Sequence, residues 1–266
     1  MPPITSLQNQ RVKDAVRLRD RRGRQKQGRF FIDGTRELMR AIDAGVRLAE
    51  VFVCRSLCTG DETQAVLKRL PDCGAEILDV TEPVFEKLAF GDRAEGVLAV
   101  VETPHTALDN LRLPENPLVV VLEGVQKPGN VGAVLRSADA AGVSAVVVAD
   151  AATDLYNPNA VRASMGTIFT VPVCAATTEE TLAWLRQRAC SIYAARVDGA
   201  VDYTEADCRG PTALVLGSEA EGLTAAWRAD DVRAIRLPMR GIADSLNVSV
   251  AAAVLCYEAL RQREGG

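Results

Sequence analysis

A chain of 266 residues, 48% hydrophobic and 25% charged with few aromatics, can bury a sizeable core and suits two domains or one large one, which sets aside disordered and fibrous classes. The formal net charge of -4 hides an asymmetry, because residues 1–40 carry 11 Lys/Arg against 4 Asp/Glu and the remainder 20 against 31. No stretch approaches the roughly 18 apolar residues of a membrane span, and the start "MPPITSLQNQ" has no apolar signal core, so a cytoplasmic protein is expected.

In chain order, a basic helix is predicted over about residues 11–26, followed by a strand "RFFIDG" and a helix "TRELMRAIDAG" closed by Gly45. A strand "AEVFVC", a helix "TQAVLKRL", a strand "AEILDV", a helix "EPVFEKLAF" and a strand "GVLAVVE" complete a compact α/β unit over residues 1–102. Residues 103–117, "TPHTALDNLRLPENP", hold three prolines and little periodicity and read as a linker. From Leu118 the strands "LVVVLEGV", "SAVVVAD", "FTVPVC", "SIYAARV", "TALVLGSE" and "RAIRLPM" are separated in part by the helices "VGAVLRSADAAG", "NPNAVRASMG" and "EETLAWLRQRA". The helix "NVSVAAAVLCYEALRQR" closes the chain, apolar around much of its circumference. Near-continuous Val/Ala/Leu strands predict a parallel sheet covered on both faces over residues 118–266, with ligands beyond the carboxyl ends of its strands.

A dense basic arm on an acidic body is the footprint of a polyanion contact, most simply nucleic acid; the alternative is a solvated charged helix. The seven cysteines are scattered without a C-x-x-C pair and read as thiols filling core gaps. With His105 the only histidine, a zinc site is not expected.

Three strands of the second half run into unusual loops: "VQKPGNVG", "GSEAEGL" and "PMRGIADSLNVS". Each is rich in Gly, Ser or Asn, and loops from one end of a parallel sheet converge, so the three are expected to build one site. The handles of other chemistries are missing: no G-x-G-x-x-G follows a strand, and neither G-x-x-x-x-G-K-[ST] nor G-x-S-x-G occurs.

Asn130-x-Gly132 with Arg136 and Ala138, then Gly217-x-Glu219 with Gly222, then Leu237-Pro238-Met239 followed by Ser245-Leu246-Asn247-Val248, resemble in order and spacing the three signature motifs of the SpoU (TrmH-type) RNA 2'-O-ribose methyltransferases of the SPOUT superfamily. The likeness covers residues 118–263. More loosely, "ITSLQNQRVKDAVRLRD" and "GRFFIDGTRELMRAIDAG" resemble the small ribosomal-protein-like substrate-binding domain that many such enzymes carry. Lys127 stands where these enzymes often have aspartate, and Asp33 where glutamate is usual.

The resemblance implies a small α/β RNA-binding domain followed by an α/β parallel-sheet domain with a deep trefoil knot, and a homodimer through the C-terminal domain that includes the last helix. It implies methyl transfer from S-adenosylmethionine to a ribose 2'-hydroxyl of RNA, with ribosomal RNA favoured over transfer RNA and no metal. Arg136 would meet the hydroxyl, oriented by Asn130 and partnered by Glu219, with Ser245 and Asn247 at the same centre. Gly217, Leu237, Met239, Leu246 and Asn247 would hold the cofactor, and Asn9, Arg11, Lys13, Arg29 and Arg136 would contact RNA. Bringing a guanidinium, which stays protonated far above neutral pH, to its neutral form at pH 7 costs roughly 8 kcal/mol, so a charged arginine stabilising the developing alkoxide is the favoured role.

On the residues alone, plainer readings stay open. Asn130, Ser245 and Asn247 suit helix caps, Glu219 a first helical turn, Gly132 close helix packing, and Arg136 an arginine reaching from a helix into water. A non-enzymatic RNA-binding adapter would lack affinity for S-adenosylmethionine, and a small-molecule enzyme would lack affinity for RNA.

Overall fold

The computed structural model describes residues 2–91, 95–198 and 201–265. It divides into two compact units, one of residues 1–105 with 156–170 and one of residues 106–155 with 171–266.

The first unit begins with α1 (Gln10–Arg17), α2 (Arg21–Gln27), β1 (Arg29–Asp33), α3 (Thr35–Asp43), β2 (Leu48–Val53), α4 (Asp61–Arg69), β3 (Glu76–Asp79), α5 (Glu82–Leu88) and β4 (Val97–Glu102). Its sheet has the order β1-β4-β2-β3, with β4 antiparallel to both neighbours and β3 parallel to β2. Phe31, Phe52, Leu98 and Val100 pack with Val12 and Ala15 of α1 and with Val84, Phe85 and Leu88 of α5.

The single basic helix expected over residues 11–26 is two helices. Buried Arg24 explains the break, since its Nη1 donates to the carbonyls of Leu18 and Arg19, both at 2.7 Å, and so satisfies the open end of α1. A Cβ at Gly23 would overlap the Arg17 carbonyl, so glycine lets α2 fold back onto α1. Arg19 in turn donates to the carbonyls of Lys87 (2.9 Å) and Ala89 (2.6 Å) at the end of α5. Part of the basic arm is therefore spent on holding the fold.

At the end of β1, the Asp33 carboxylate accepts the Phe90 N–H at 2.6 Å while its Oδ1 has no hydrogen-bond partner among the described residues. Burial pushes its pKa up to about 6 from a reference of 3.8, against the Phe90 bond and the nearby Arg162 charge. A raised carboxyl pKa means that the folded state holds its proton longer than the unfolded chain. The stability Asp33 contributes is thus complete below pH 3.8 and is lost as the pH rises through about 6, a difference of about 3 kcal/mol. Asp33→Asn keeps an acceptor for Phe90. Denaturant unfolding at pH 4 and pH 8 should show a smaller loss on raising pH in the variant than in the wild type, and equal pH dependence in both would contradict this.

The chain continues with β5 (Leu118–Glu123), α6 (Pro128–Ala140), β6 (Ala145–Ala149), α7 (Pro158–Ser164), β7 (Val173–Ala176), α8 (Thr178–Gln187), β8 (Ser191–Ala195), β9 (Val201–Asp202), β10 (Thr212–Leu216), β11 (Val232–Arg236) and α9 (Val248–Glu264). The seven strands form one sheet of order β7-β6-β5-β10-β8-β11-β9 in which every pairing is parallel, as expected. All six residues of β5 are buried, which fits a strand covered on both faces. The two-residue β9 is too short to leave a periodic signal. A capping box opens α8, with Thr177 Oγ1 accepting from the Glu180 N–H (3.1 Å) and the Glu180 carboxylate from the Thr177 N–H (2.9 Å). Val248, Ala252, Leu255, Cys256 and Ala259 bury one side of α9, which packs on α6 and β10. Val250 and Tyr257, seven residues apart and so on one face, stay about half exposed at 49% and 51%.

Residues 156–170 follow β6 in the chain but belong to the first unit. There Phe30 of β1, fully buried, stacks on Tyr156 with ring centroids at 4.5 Å and on Phe169 at 6.2 Å. Phe169, the first residue of the predicted strand "FTVPVC", lies in this segment, and β7 begins at Val173. Arg40 of α3 donates to the Met165 carbonyl at 2.6 Å, and Arg162 of α7 to the Phe90 carbonyl at 2.7 Å. Among the described residues no helix is long and apolar enough to cross a membrane.

Candidate active site

Because the seven strands are parallel, the carboxyl ends of β5, β10, β8 and β11, adjacent in that order, open on one edge. The loops after β8, β10 and β11 enclose a cavity of about 480 Å³, within the range of small-molecule and cofactor sites. Leu216, Leu223, Leu237, Met239, Leu246 and Val248 give it apolar walls. Gly217, Glu219 and Ser245 also line it, so four of the five expected cofactor residues face this space.

The "GSEAEGL" loop is a tight turn rather than a first helical turn. The Gly222 N–H donates to the Ser218 carbonyl at 3.0 Å and the Glu221 N–H to Ser218 Oγ at 3.1 Å. At its neck a Cβ on Gly217 would overlap the backbone of Gly222 and Leu223, so this position admits only glycine while the turn keeps its shape. Gly222 itself sits at φ +69°, in the left-handed region.

Three polar residues, one on the first turn of α6 and two on the loops after β10 and β11, meet beside the cavity. Asn130 Nδ2 donates to Glu219 Oε1, and Asn247 Nδ2 donates to Asn130 Oδ1 at 3.4 Å. Asn130 is the third residue of α6, whose first residue is Pro128, and it is not the cap. Asn247 does cap a helix: its Oδ1 accepts from the Ser249 N–H (2.9 Å) and Oγ (2.7 Å), opening α9. Helix capping and site membership coexist at Asn247. Gly132 is buried on α6, and exposed Lys127 precedes that helix.

Arg136 bonds to none of these groups. It lies six residues beyond Asn130 on α6, about a third of a turn away in direction, which keeps the two side chains from facing the same way. It is exposed and, among the described residues, makes no hydrogen bond or ion pair. Asn130 does not bond to this arginine in the structure, where its amide is taken by Glu219. The guanidinium is left available to a ligand.

The loop after β8 was not anticipated. Arg196 holds Asp198 in a bidentate pair (2.8 and 2.7 Å), Arg228 approaches the same carboxylate at 3.5 Å, and all three line the cavity. The Arg196 hydrogen bonds hold the Asp198 carboxyl below its usual range. Its signal was the strand "SIYAA" running into Arg-Val-Asp-Gly at the ligand-bearing end of the sheet.

Apart from Arg136, which stands on α6 of the second unit, the expected RNA contacts lie on the first unit and divide into two groups. Asn9 caps α1 by accepting from the Arg11 N–H at 2.9 Å, and Arg11 is ion-paired with Glu76 at 2.7 Å and Glu50 at 3.7 Å. The side chains of Lys13 and Arg29, like those of exposed Arg22 and Lys26, make no hydrogen bond or ion pair among the described residues. Among the described residues no group of three or more His, Cys, Asp or Glu is placed to hold a metal ion.

Comparison with known proteins reads the same sequence independently. Residues 117–257 match the SpoU rRNA Methylase family and residues 9–99 the MRM3-like substrate binding domain. The chain is 30% identical over 260 residues to the 23S rRNA (guanosine(2553)-2'-O)-methyltransferase RlmP of Bacillus subtilis, covering 97% of this chain and 98% of that one. A solved RNA 2'-O ribose methyltransferase is 42% identical with a TM-score of 0.85, covering 99% of this chain and 100% of that one. The SpoU methyltransferase AviRb of Streptomyces viridochromogenes, solved with AdoMet, is 30% identical with a TM-score of 0.88, covering 97% and 100%.

Proposed function

The chain belongs to the SpoU rRNA methylase family, and from that premise we propose that it transfers the methyl group of S-adenosylmethionine to a ribose 2'-hydroxyl of ribosomal RNA. The observation that carries the reading is the meeting of Asn130, Glu219 and Asn247 from three separate segments of the chain at the rim of the cavity. S-adenosylmethionine supplies an electrophilic methyl group. The apolar walls and the side-chain-free neck at Gly217 fit its adenosine, which Leu237, Met239 and Leu246 would hold together with the Asn247 loop. Arg136, whose side chain has no partner among the described residues, would stabilise the oxygen while its proton passes to an adjacent phosphate that the same guanidinium clamps. Glu219 and Asn247 fix Asn130, and Ser245 completes the rim. Positioning of this kind removes several kcal/mol from the barrier.

On the basic arm of the first unit, Lys13, Arg22, Lys26 and Arg29 are cations open to phosphate, while Asn9 and Arg11 shape the surface on which they stand. Neutralising Arg22 and Lys26 together should flatten the plot of log Kd for RNA against log salt by about 1 to 2, at roughly 0.7 to 0.9 per phosphate contact; an unchanged slope would remove them from the interface. A cytoplasmic setting follows from a ribosomal substrate.

The same reading includes a homodimer through the C-terminal domain and a knotted path for the segment leading to α9. The half-exposed Val250 and Tyr257 on α9 support the dimer, because a face of large apolar side chains on a closing helix calls for a cover. Sedimentation of the wild type should give twice the protomer mass and Tyr257→Glu the protomer mass; a monomeric wild type would exclude the dimer. To test the substrate, ribosomal and transfer RNA lacking modifications are offered in competition with labelled S-adenosylmethionine. Label in the ribosomal RNA is expected, and label confined to transfer RNA would overturn the choice.

A further inference from the structure

Glu123 ends β5 and is only 2% exposed, yet none of the roles above uses it. A carboxylate taken from water is costly unless its lone pairs are filled. Here they are filled from two elements. Oε1 accepts from Thr178 Oγ1 of α8 (2.7 Å) and from Thr224 Oγ1 (2.8 Å), and Oε2 accepts from the Thr224 N–H (2.7 Å).

Thr224 follows directly on Leu223, the last cavity-lining residue of the loop that begins at Gly217. The upstream root of that loop is fixed by the sheet, where Leu216 of β10 pairs with Leu122 of β5. Its downstream root is tied to the neighbouring residue of the same strand through Glu123. Between the roots the turn carries Glu219, bonded to Asn130, and Asn130 stands on the first turn of α6, the helix that follows β5 after residues 124–127. One buried carboxylate therefore ties the base of the 217–224 loop to the end of the strand that leads into α6, and loop and helix meet again beside the cavity through Glu219 and Asn130.

We propose that Glu123 is a positioning residue which sets the height of the 217–224 loop over the sheet edge, and so both the width of the S-adenosylmethionine cavity and the alignment of Glu219 with Asn130. This rests on the reading of that cavity as the cofactor site. The Thr224 hydroxyl can rotate to suit a new neighbour, but its N–H cannot. Glu123→Gln confronts one of these fixed or hydroxyl donors with an amide donor, whereas Glu123→Asp keeps the charge on a shorter stem.

The test uses the full chain and compares Glu123→Gln, Thr224→Val and the double variant for S-adenosylmethionine Kd by calorimetry, KM for RNA, and thermal unfolding. A lost hydrogen bond to a charged group should weaken cofactor binding about tenfold or more, with KM for RNA unchanged. Thr224→Val should weaken it less, the double variant should be no worse than Glu123→Gln alone, and Glu123→Asp should recover part of the loss. A purely structural role would lower the unfolding temperature and leave the cofactor Kd of the folded protein unchanged, which overturns the proposal. Should Glu123→Gln fail to fold, wild-type affinity in Thr224→Val overturns it equally. Leu246→Arg obstructs the cavity from the opposite loop. If Leu246→Arg binds cofactor normally, the cavity reading falls and this assignment with it; if Leu246→Arg loses binding while Glu123→Gln keeps it, the Glu123 assignment alone falls.

Discussion

Gly217→Ala is expected to weaken S-adenosylmethionine binding by about a hundredfold, read by calorimetry on folded protein, because relieving its overlap means moving the loop by a distance worth about 2 to 3 kcal/mol. The added methyl group would meet the Gly222 and Leu223 backbone rather than a flexible side chain, so the neck has to open. Opening it displaces Leu223 and Glu219 together, and both line the cavity. Gly210→Ala provides the control, since nothing lies within 4 Å of a Cβ there and its φ is ordinary. Normal cofactor affinity in Gly217→Ala would show that this loop does not shape the cofactor site.

Arg136→Ala should lower kcat by about 10²- to 10³-fold, the scale on which removal of one preorganised donor to a developing oxyanion acts. The cofactor Kd should be unchanged, because Arg136 is not among the residues that line the cavity. Arg136→Lys keeps the charge but loses the planar fork that grips oxygen and phosphate together, and it should fall between wild type and alanine. Since Arg136 makes no bond within the protein among the described residues, neither variant should lower the unfolding temperature by more than about a degree or two. Near-wild-type kcat in Arg136→Ala would remove it from the chemistry.

Much of the second unit was legible because its signals are local. Six successive buried residues in β5 can be read as a doubly covered strand, and parallel strands force the loops after β5, β10 and β11 to one edge. Gly217 and Gly222 were legible as residue types, although the backbone contact that demands Gly217 is visible only in three dimensions. The break between α1 and α2 depends on Arg24 reaching carbonyls five and six residues earlier, which helical periodicity does not encode. In the same way, the engagement of residues 156–170 with β1 rests on Phe30 meeting aromatic partners more than a hundred residues away. The basic arm was legible as charge, but which cations are free depends on partners such as Glu76 and the α5 carbonyls. Arg136 and Asn130 share a motif, yet helical geometry sends their side chains in different directions.

The position of the transferred methyl group tests the ribose chemistry most directly. After reaction of the wild-type chain with labelled S-adenosylmethionine and unmodified ribosomal RNA, the product is hydrolysed in alkali, which needs a free 2'-hydroxyl to cut the adjoining phosphodiester. Label in alkali-resistant dinucleotides, absent from the Arg136→Ala reaction at equal time, is the expected result. Label recovered in mononucleotides, as a methylated base would give, would contradict it.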